Sequence, residues 1–308
     1  MMRVVADIGG TNARFARIGP DGLPAGQVRL AVADHADFAS ALEAALAMLG
    51  GPLPQQAVVA VAGPVHDGVC HLTNADWTID RRVIAARLGS ERVRVVNDFE
   101  AVALALPHLG PADITTLGPA EGPAADPRTA MKLALGPGTG LGVALHLGDA
   151  GGASVATEGG HVPLALADPG LLERLQAVAP PGPLEAEYFL SGPGLARLHR
   201  ALHDRVLDEH QVTAAADAGE PAAQRTIALF LDLLAGFAAS AALGAGALGG
   251  VYLAGGLVGE GRIRVDGARF RRTFNGEGRM AAWLARVPLH IITRADPAFL
   301  GLARVGMA

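Results

Sequence analysis

Alternating runs of hydrophobic and polar positions along the 308-residue chain predict strands interleaved with helices. Near the N-terminus, the apolar run 4–6 ends at a glycine turn, and the alternating segment 14–18 follows it. Period-two alternation indicates a strand on each side of this turn. The same order recurs where residues 132–135 lead into a second glycine turn and residues 142–147 lead out. The pattern therefore predicts two strand–turn–strand units, one near the start of each half.

The segments between and after these units follow helical and strand periods in alternation. Helices are predicted at 38–49, 81–88, 99–106, 194–206, 222–243 and 297–305, and further strands at 58–61, 93–96 and 251–254. A stretch rich in Pro, Gly and Ala, 118–128, reads as a surface connection. Strands alternating with helices indicate an α/β fold with mainly parallel sheets. Because each half begins with the same unit, we expect two related α/β domains.

Composition and charge exclude several classes of function. Half of the residues are hydrophobic, which is enough for a sizeable core, and the net charge of −5 offers no basic field for nucleic acid. The single cysteine, Cys70, excludes an internal disulfide framework and a cysteine-rich zinc site, and a buried core position is expected for it. A strand begins almost at the first residue, so no secretory signal is expected.

One long apolar stretch is compatible in length with a membrane span. Between residues 228 and 258 the only charged residue is Asp232. The stretch breaks at Gly249-Gly250, and no cluster of basic or aromatic residues frames a 20-residue window within it. A buried helix followed by a buried strand fits this pattern better, so no contact with a membrane is expected.

The two glycine turns differ from the common nucleotide-binding loops. A P-loop and a Rossmann fingerprint each run from a strand into a helix, whereas both turns here lie between strands. The only lysine, Lys132, begins a strand and does not follow a glycine loop. A glycine turn in a hairpin can direct backbone N–H groups and a Thr hydroxyl at a phosphate. Asp7, at the end of the first strand, suits a water-bridged metal ion near that phosphate, and the alternative is a carboxylate that stabilises its own turn.

Two further pairs of polar residues carry candidate chemistry. Asn97-Asp98 follows a β-branched strand, where ligands gather in α/β sheets, but both residue types also favour helix N-caps. Glu158 and His161 have the spacing of a helical metal site, yet two glycines lie between them. A loop that offers a carboxylate and an imidazole as hydrogen-bond partners is therefore expected there.

Two other pairs have plainer interpretations when each is taken alone. Glu185 and Glu187 precede a helix and read as solvated charges of a first turn. His199 and His203 are four residues apart on a predicted helix, beside Arg200, with no obvious third metal ligand. A solvated helical face is expected for this histidine pair.

Eight segments, in order along nearly the whole chain, together resemble the bacterial glucokinases, which are hexokinase-like sugar kinases with the actin/ribonuclease H-like ATPase fold. The segments are Asp7-Ile8-Gly9-Gly10-Thr11-Asn12-Ala13-Arg14, Val61-Ala62-Gly63-Pro64, Leu72-Thr73-Asn74-x-x-Trp77, Asn97-Asp98-Phe99, Leu135-Gly136-Pro137-Gly138-Thr139-Gly140-Leu141-Gly142, Glu158-Gly159-Gly160-His161, Leu190-Ser191-Gly192-Pro193-Gly194-Leu195 and Tyr252-Leu253-Ala254-Gly255-Gly256. Each segment is short, so the specificity of the resemblance comes from their number and order.

The resemblance implies a role for most of these segments. It implies that the two glycine turns bind the β- and γ-phosphates of ATP and that the third turn lies near the adenosine. Mg²⁺ is expected with the ATP, and the position of Asp7 suits holding that ion through water. The implied nucleotide contacts are Ala6, Asp7, Ile8, Gly9, Gly10, Thr11, Gly138, Thr139, Gly140, Gly255 and Gly256. The implied sugar ligands are Asn97, Asp98, Glu158, His161 and Glu187, with Asp98 as the catalytic base.

The resemblance also implies an architecture and an activity. Two actin-like α/β domains flanking a central cleft are expected, a small one of residues 1–108 plus 291–308 and a large one of residues 109–290. The expected activity is ATP-dependent phosphorylation of D-glucose to glucose 6-phosphate, a reaction of glycolysis, by a cytoplasmic homodimer. Having one cysteine, the chain fits the glucokinase branch that lacks a cysteine-rich zinc motif.

Several alternatives stay open at the level of sequence. The sugar could instead be fructose, mannose or an amino sugar, and the phosphoryl donor could be polyphosphate or ADP. A sugar-sensing regulator without catalysis is a further alternative. The segment 259–267 is more polar and richer in glycine than the family leads one to expect, which leaves its local helix and adenine contacts open.

Overall fold

The fold is described from a computed structural model for residues 2–72 and 75–306. Within these residues, the strands are β1 (Arg3–Ile8), β2 (Asn12–Ile18), β3 (Pro24–Ala31), β4 (Gln56–Val61), β5 (Val69–His71), β6 (Thr78–Asp80), β7 (Val93–Asn97), β8 (Ile114–Thr116), β9 (Met131–Pro137), β10 (Leu141–Leu147), β11 (Ala153–Thr157), β12 (Val251–Leu253) and β13 (Leu289–Ile292). The helices are α1 (Phe38–Leu49), α2 (Arg81–Leu88), α3 (Asp98–Ala105), α4 (Pro169–Gln176), α5 (Ala186–Phe189), α6 (Gly192–His203), α7 (Glu209–Asp217), α8 (Pro221–Ala245), α9 (Gly267–Asn275), α10 (Ala281–Leu284) and α11 (Pro297–Arg304). The predicted α/β class is confirmed, but the expectation of mainly parallel sheets is wrong, because antiparallel strands lie beside the parallel ones in both large sheets.

The chain divides into two compact units. The first comprises Met1–His108, Ala153–Ala156 and Asp296–Ala308, and the second comprises Leu109–Gly152 and Thr157–Ala295. The two-domain division expected from the sequence stays a prediction. These units differ from it near residue 291, because β13 pairs within the sheet of the second unit.

The sheet of the first unit aligns the carboxyl ends of three parallel strands. Its strand order is β3-β2-β1-β4-β7, in which β1 and β2 form the antiparallel hairpin and β4 and β7 run parallel to β1. The register pairs Ile8 with Val61 and Val61 with Asn97. The residues that follow these three strands therefore emerge along one edge of the sheet, the edge at which α/β proteins place their ligands.

The core of the first unit forms because its strands are apolar on both faces. All six residues of β4 are buried, as expected for a parallel strand covered on both sides. Phe38 from α1 contacts both Phe15 and Trp77, at ring-centroid distances of 6.3 and 6.2 Å. Trp77 of the third family segment is thus a core residue, while Thr73 and Asn74 lie outside the described residues.

The sheet of the second unit repeats this arrangement. It contains the order β10-β9-β12-β13-β8, with an antiparallel β9–β10 hairpin beside the parallel strands β12 and β13. Leu135 pairs with Leu253, and Leu253 with Ile291, so these three strands also end together. A hairpin followed by two parallel strands occurs in both units, in agreement with the expected relationship between the two halves.

The helices differ from the predicted boundaries at places with identifiable causes. The helix expected at 194–206 is α6, which ends at His203 because Asp204 takes a left-handed backbone conformation, with φ of 51°. It begins earlier than expected because the Ser191 hydroxyl caps it by accepting from the Gly194 amide. No helix forms within 259–266, and α9 begins at residue 267.

The long apolar helix α8 packs inside the second unit. By length and composition alone it could cross a membrane, and its buried residues include Phe230, Leu234 and Phe237. Its one charged residue in the apolar stretch, Asp232, forms an ion pair with Arg269 of α9 at 2.6 Å. These contacts support its interpretation as a core helix.

Candidate active site

Asn97 and Asp98 lie at the junction of β7 and α3, and Asn97 is the N-cap of that helix. Its side-chain oxygen accepts hydrogen bonds from the amides of Phe99 and Glu100 at 2.9 and 3.2 Å. Its side-chain amide donates to the Gly63 carbonyl, just beyond β4, at 3.1 Å. Asn97 therefore fixes the start of α3 to the neighbouring strand end, and this leaves the adjacent Asp98 at the same edge of the sheet.

The environment of Asp98 favours a carboxyl group that can take up a proton near neutral pH. Burial, and secondarily the negative charge of Asp7, raise the pKa of Asp98 to about 7. A hydrogen bond from the Phe99 amide at 2.8 Å partly offsets these effects. A general base is most effective when its pKa lies near the working pH, so Asp98 suits proton abstraction.

Asp7 is held in place by an arginine that also reaches the last helix of the first unit. Arg14, on the partner strand of the hairpin, forms ion pairs with both Asp7 and Asp296. Burial raises the pKa of Asp7, and the guanidinium of Arg14 opposes that rise. Asp296 is the N-cap residue of α11 and has a left-handed backbone, with φ of 50°. Its side chain pairs with Arg14 and makes no capping hydrogen bond to the helix. The sequence reading did not identify Arg14 or Asp296 as site residues.

The first glycine turn presents two amides that are not used within the fold. The Gly9 amide donates to the Asn12 carbonyl at 2.9 Å and closes the hairpin. No hydrogen bond within the described chain engages the amides of Gly10 or Thr11, and the Thr11 side chain is exposed. Ala6 and Ile8, which the resemblance also implicated, are buried in β1 with their side chains in the core.

The second glycine turn has the same pattern of amides, but its surroundings are tighter. The Gly138 amide donates to the Gly140 carbonyl at 2.8 Å, and no hydrogen bond within 75–306 engages the amides of Thr139 or Gly140. The Leu141 amide donates to the carboxylate of Glu187 at 2.8 Å. A Cβ atom at Gly140 would lie 2.5 Å from that carboxylate, so Gly140 allows its close approach.

The third turn rests directly on the second. Gly255 has a φ of +85°, and a Cβ atom there would lie 2.6 Å from the Pro137 carbonyl oxygen. The Leu257 amide donates to the same carbonyl at 3.3 Å. Both the positive φ and the close backbone approach require glycine at position 255. The predicted adenosine turn and the predicted phosphate turn are therefore packed against each other.

A second group of polar residues forms around His161 in the second unit. Residues 159–161 form a short 3₁₀ turn, whereas a loop was predicted. The segment after it pairs with the segment before α5, since Ala186 donates to Val162 and Leu164 donates to Leu184. This pairing brings His161 within 2.9 Å of the Glu185 carboxylate, measured from its Nδ1 atom.

Three glutamates surround the His161 imidazole. The hydrogen bond to Glu185 raises the pKa of His161, as do the charges of Glu187 and Glu158. The Nε2 atom lies 4.0 Å from Glu158 Oε2, beyond hydrogen-bond range, and no other hydrogen bond of the described residues engages it. The structure thus places Glu158, Glu185 and Glu187 near His161, and the role of Glu158, His161 and Glu187 as sugar ligands stays a prediction. No local signal in the sequence indicated the contact between His161 and Glu185, which lie 24 positions apart.

The histidine pair on α6 differs from its predicted interpretation. His199 is fully buried, so the expectation of a solvated helical face is wrong for this residue. It occupies the position four after Leu195 and so belongs to the apolar stripe of the helix. No group of three or more potential metal-ligating side chains occurs among the described residues.

Comparison with known proteins gives one consistent family. The glucokinase family model matches residues 4–308 of this chain. The chain is 37% identical to the glucokinase of Cupriavidus pinatubonensis over 316 aligned positions, which cover 98% of this chain and 91% of that protein.

Solved structures of sugar kinases share the fold. The glucokinase from an Antarctic psychrotroph matches with a TM-score of 0.84 and 31% identity, and the match covers 98% of both chains. A ROK-family glucokinase from Streptomyces griseus, crystallised with glucose and AMPPNP, matches with a TM-score of 0.66, 19% identity and coverage of 98% of both chains. At that identity, the second likeness concerns the fold alone.

Proposed function

Because this chain belongs to the glucokinase family, we propose that it transfers the γ-phosphoryl group of ATP to the 6-hydroxyl of glucose, with Asp98 as the general base. Family membership makes the chain a sugar kinase. The observation that carries the role of Asp98 is its position at the aligned strand ends, with a pKa raised to about 7.

Asp98 would accept the proton of the sugar hydroxyl as that oxygen attacks the γ-phosphorus. The bond between the γ-phosphorus and the bridging oxygen of ADP breaks as the new phosphorus–oxygen bond forms, and Asp98 holds the released proton. Phosphoryl transfer depends mostly on positioning and on charge stabilisation, so the base only needs to lie within reach of the hydroxyl. Asn97 supports this position by tying the start of α3 to Gly63.

The free amides of the glycine turns would bind the phosphates of ATP. Gly10 and Thr11 in the first unit, and Thr139 and Gly140 in the second, each offer N–H groups that make no hydrogen bond within the described fold. Turn amides of this kind form concave sites for anions. Gly255 and Gly256 would lie near the adenosine, and the packing of Gly255 on Pro137 supports this by placing the third turn beside the second.

Mg²⁺ fits this site as a companion of ATP, without a cage of protein ligands. Mg²⁺ in kinase sites keeps several waters and binds through one or two carboxylates together with substrate phosphates. Asp7 is the carboxylate beside the first turn, and its pairing with Arg14 favours contact with the ion through water. When bound, the ion would neutralise charge on the β- and γ-phosphates.

Glu158, His161 and Glu187 would read the sugar hydroxyls. Glu187 uses its Oε2 atom to hold Leu141, and its Oε1 atom makes no hydrogen bond within the described residues. Glu187 can therefore hold the second turn and accept from a hydroxyl at the same time. His161 donates through Nδ1 to Glu185, so its Nε2 atom is available to a sugar hydroxyl.

The proposal extends to the location and the oligomeric state of the protein. The family resemblance supports a cytoplasmic homodimer. The internal packing of α8, including the Asp232–Arg269 ion pair, supports a protein that does not use this helix to enter a membrane.

The test is an ADP-release assay over a panel of hexoses, with ATP and Mg²⁺. The proposal expects glucose to give the highest kcat/KM, with fructose, mannose and glucosamine well below it. Equal or better turnover of another hexose would overturn the glucose assignment. A higher rate of glucose 6-phosphate formation from polyphosphate in the absence of ATP than from ATP itself would overturn the assignment of ATP as donor.

A further inference from the structure

A cationic cavity in the second unit shares no residue with the proposed active site. It is lined by side chains from three helices, namely Arg174 of α4, Leu202 and His203 of α6, and Arg225 and Leu229 of α8. Its volume is about 420 Å³, which falls within the range of small-molecule sites. Two leucines and three basic side chains give it an apolar part and a positively charged part.

The positive charge of this cavity is not balanced by the fold. Neither Arg174 nor Arg225 makes an ion pair or a hydrogen bond within the described residues. Glu220, whose negative charge raises the pKa of His203, is already paired with Arg205. Both guanidinium groups are exposed to solvent, and both line the same cavity.

One nitrogen of the imidazole in the cavity lacks a hydrogen-bond partner, although the ring interacts with the Ala222 carbonyl. The Nε2 atom of His203 is buried and makes no hydrogen bond in the described part of the chain. Its ring lies 4.9 Å from that of His199, which is fully buried. Burial and the charges of Arg225 and Arg174 lower the pKa of His203, while Glu220 and the Ala222 carbonyl oppose that effect. A buried polar atom without a partner is rare in proteins and suggests that something else satisfies it.

The second histidine, His199, connects α6 to α8 through a hydrogen bond. Thr226 donates its hydroxyl hydrogen to the Ala222 carbonyl at 3.1 Å, so its oxygen accepts from His199 Nδ1 at 2.9 Å. This bond fixes the tautomer of His199 and links α6 to α8 behind the cavity. His203, one turn further along α6, is thereby held against α8, and its Nε2 atom stays at the cavity.

We propose that this cavity binds a small phosphorylated metabolite, with its phosphate group held by Arg174, His203 and Arg225 and its uncharged part on Leu202 and Leu229. Arginine forks match phosphate oxygens geometrically, and charge-assisted hydrogen bonds of this type are among the strongest in proteins. The phosphate would supply a partner for His203 Nε2 and would favour the protonated imidazole.

The experiment follows the histidine side-chain resonances of the full chain by NMR while glucose 6-phosphate or inorganic phosphate is added. Saturating glucose and a non-hydrolysable ATP analogue keep the proposed active site occupied. The His203 signal is identified by its loss in His203→Gln. We expect a saturable shift of this signal with glucose 6-phosphate, a weaker response to inorganic phosphate, and a higher pKa of His203 when the phosphate is bound.

Two arginine variants and a matched control locate the site. Each of Arg174→Gln and Arg225→Gln should weaken glucose 6-phosphate binding by about tenfold or more, as expected for the loss of one hydrogen bond to a charged group. Arg200→Gln, on the exposed face of α6 and outside the cavity, should bind as the unmodified chain does.

Equal binding by all three variants, or no response of His203 to glucose 6-phosphate, overturns the proposal. If inorganic phosphate binds as tightly as glucose 6-phosphate, the claim that the cavity also binds the uncharged part of a metabolite is overturned. None of these outcomes depends on turnover of glucose.

Discussion

The two glycine turns have the same backbone pattern but are held by different forces. The first turn follows Asp7, whose carboxylate is fixed by Arg14, and a Cβ atom at Gly9 would have its nearest neighbour at 3.6 Å. The second turn is enclosed by the Glu187 carboxylate and by the backbone at Gly255. The first is therefore positioned mainly by charge and the second mainly by close packing. This difference implies that substitutions will act through electrostatics in one turn and through shape in the other.

The largest combined effect on ATP binding and stability is expected at the contact between the second and third turns. Gly255→Ala places a Cβ atom on the Pro137 carbonyl and also forces an alanine into a positive φ. The clash is between backbone segments, which cannot shift without disturbing one of the two turns. We therefore expect KM for ATP to rise about tenfold or more and the melting temperature to fall. Steady-state kinetics and calorimetry measure these quantities.

Gly261→Ala is the matched control for that substitution. Gly261 also has a positive φ, of +74°, but a Cβ atom there meets nothing within 4 Å. It should lose some stability and leave KM for ATP unchanged. An equal change of KM in both variants would mean that backbone conformation, and not the contact between the turns, is responsible.

Within the second turn, Gly140→Ala should be costly and Gly138→Ala nearly neutral. The new Cβ at position 140 displaces the Glu187 carboxylate from the Leu141 amide, while one at position 138 meets nothing within 4 Å. Losing this hydrogen bond to a charged group should lower kcat/KM by about ten- to a hundredfold. Gly9→Ala in the first turn should change kcat/KM by about twofold or less. The comparison of the turns is wrong if Gly9→Ala and Gly140→Ala have equal effects.

A smaller effect is expected from the residue that orients His161. Glu185→Ala removes the partner of Nδ1 and should raise KM for glucose by about fivefold or less, because the pair is half-exposed. Glu185→Gln, which keeps an acceptor oxygen, should recover most of the affinity, and kcat should stay unchanged in both. Glu173→Gln, an exposed glutamate on α4, serves as the control. A fall in kcat with an unchanged KM would contradict a positioning role.

The smallest expected effect is a displacement of the pH profile. Asp98 must be ionised to act as a base and has a pKa raised to about 7, so kcat/KM for glucose should rise with pH through about 7 and then level off. The charge of Asp7 contributes to that raised pKa, and Asp7→Asn should move the rise to lower pH. The measured quantity is the pH at which kcat/KM rises, because the plateau value of kcat/KM would also depend on the proposed Mg²⁺ binding. A profile that stays in place would show that Asp7 does not act on Asp98 electrostatically.

The features that were predictable from the sequence are those with strong local patterns. Apolar runs that end at glycine turns predicted both hairpins, and the family segments marked Asp98 and His161 as candidate site residues, whose roles stay predictions. Parallel pairing then places the strand ends together, as the Ile8, Val61 and Asn97 register shows. Local periodicity and turn chemistry therefore accounted for the hairpin and the strand ends of the first unit, while the candidate roles at those ends came from the family resemblance.

Other features depend on contacts between distant segments and leave no periodic signal. Arg14 reaches Asp296 across 282 positions, and Glu187 reaches Leu141 across 46. The burial of His199 is different, because its place in the stripe with Leu195 and Leu198 was readable, but the neighbouring Arg200 suggested a solvated face. A charge on the next residue says little about a helical position, since adjacent residues point about 100° apart.

The central claim is that Asp98 takes the proton of the sugar hydroxyl, and Asp98→Asn tests it most directly. Glucose affinity is measured by calorimetry, and kcat by ADP release at pH 8. Because its pKa is raised in the fold, ionised Asp98 costs stability as pH rises from about 4 towards 7, so the variant should be at least as stable at pH 8. We predict that kcat falls about 10²- to 10⁴-fold while the Kd for glucose changes little. A stable variant whose kcat stays within tenfold of the unmodified chain would contradict the assignment of Asp98 as the base.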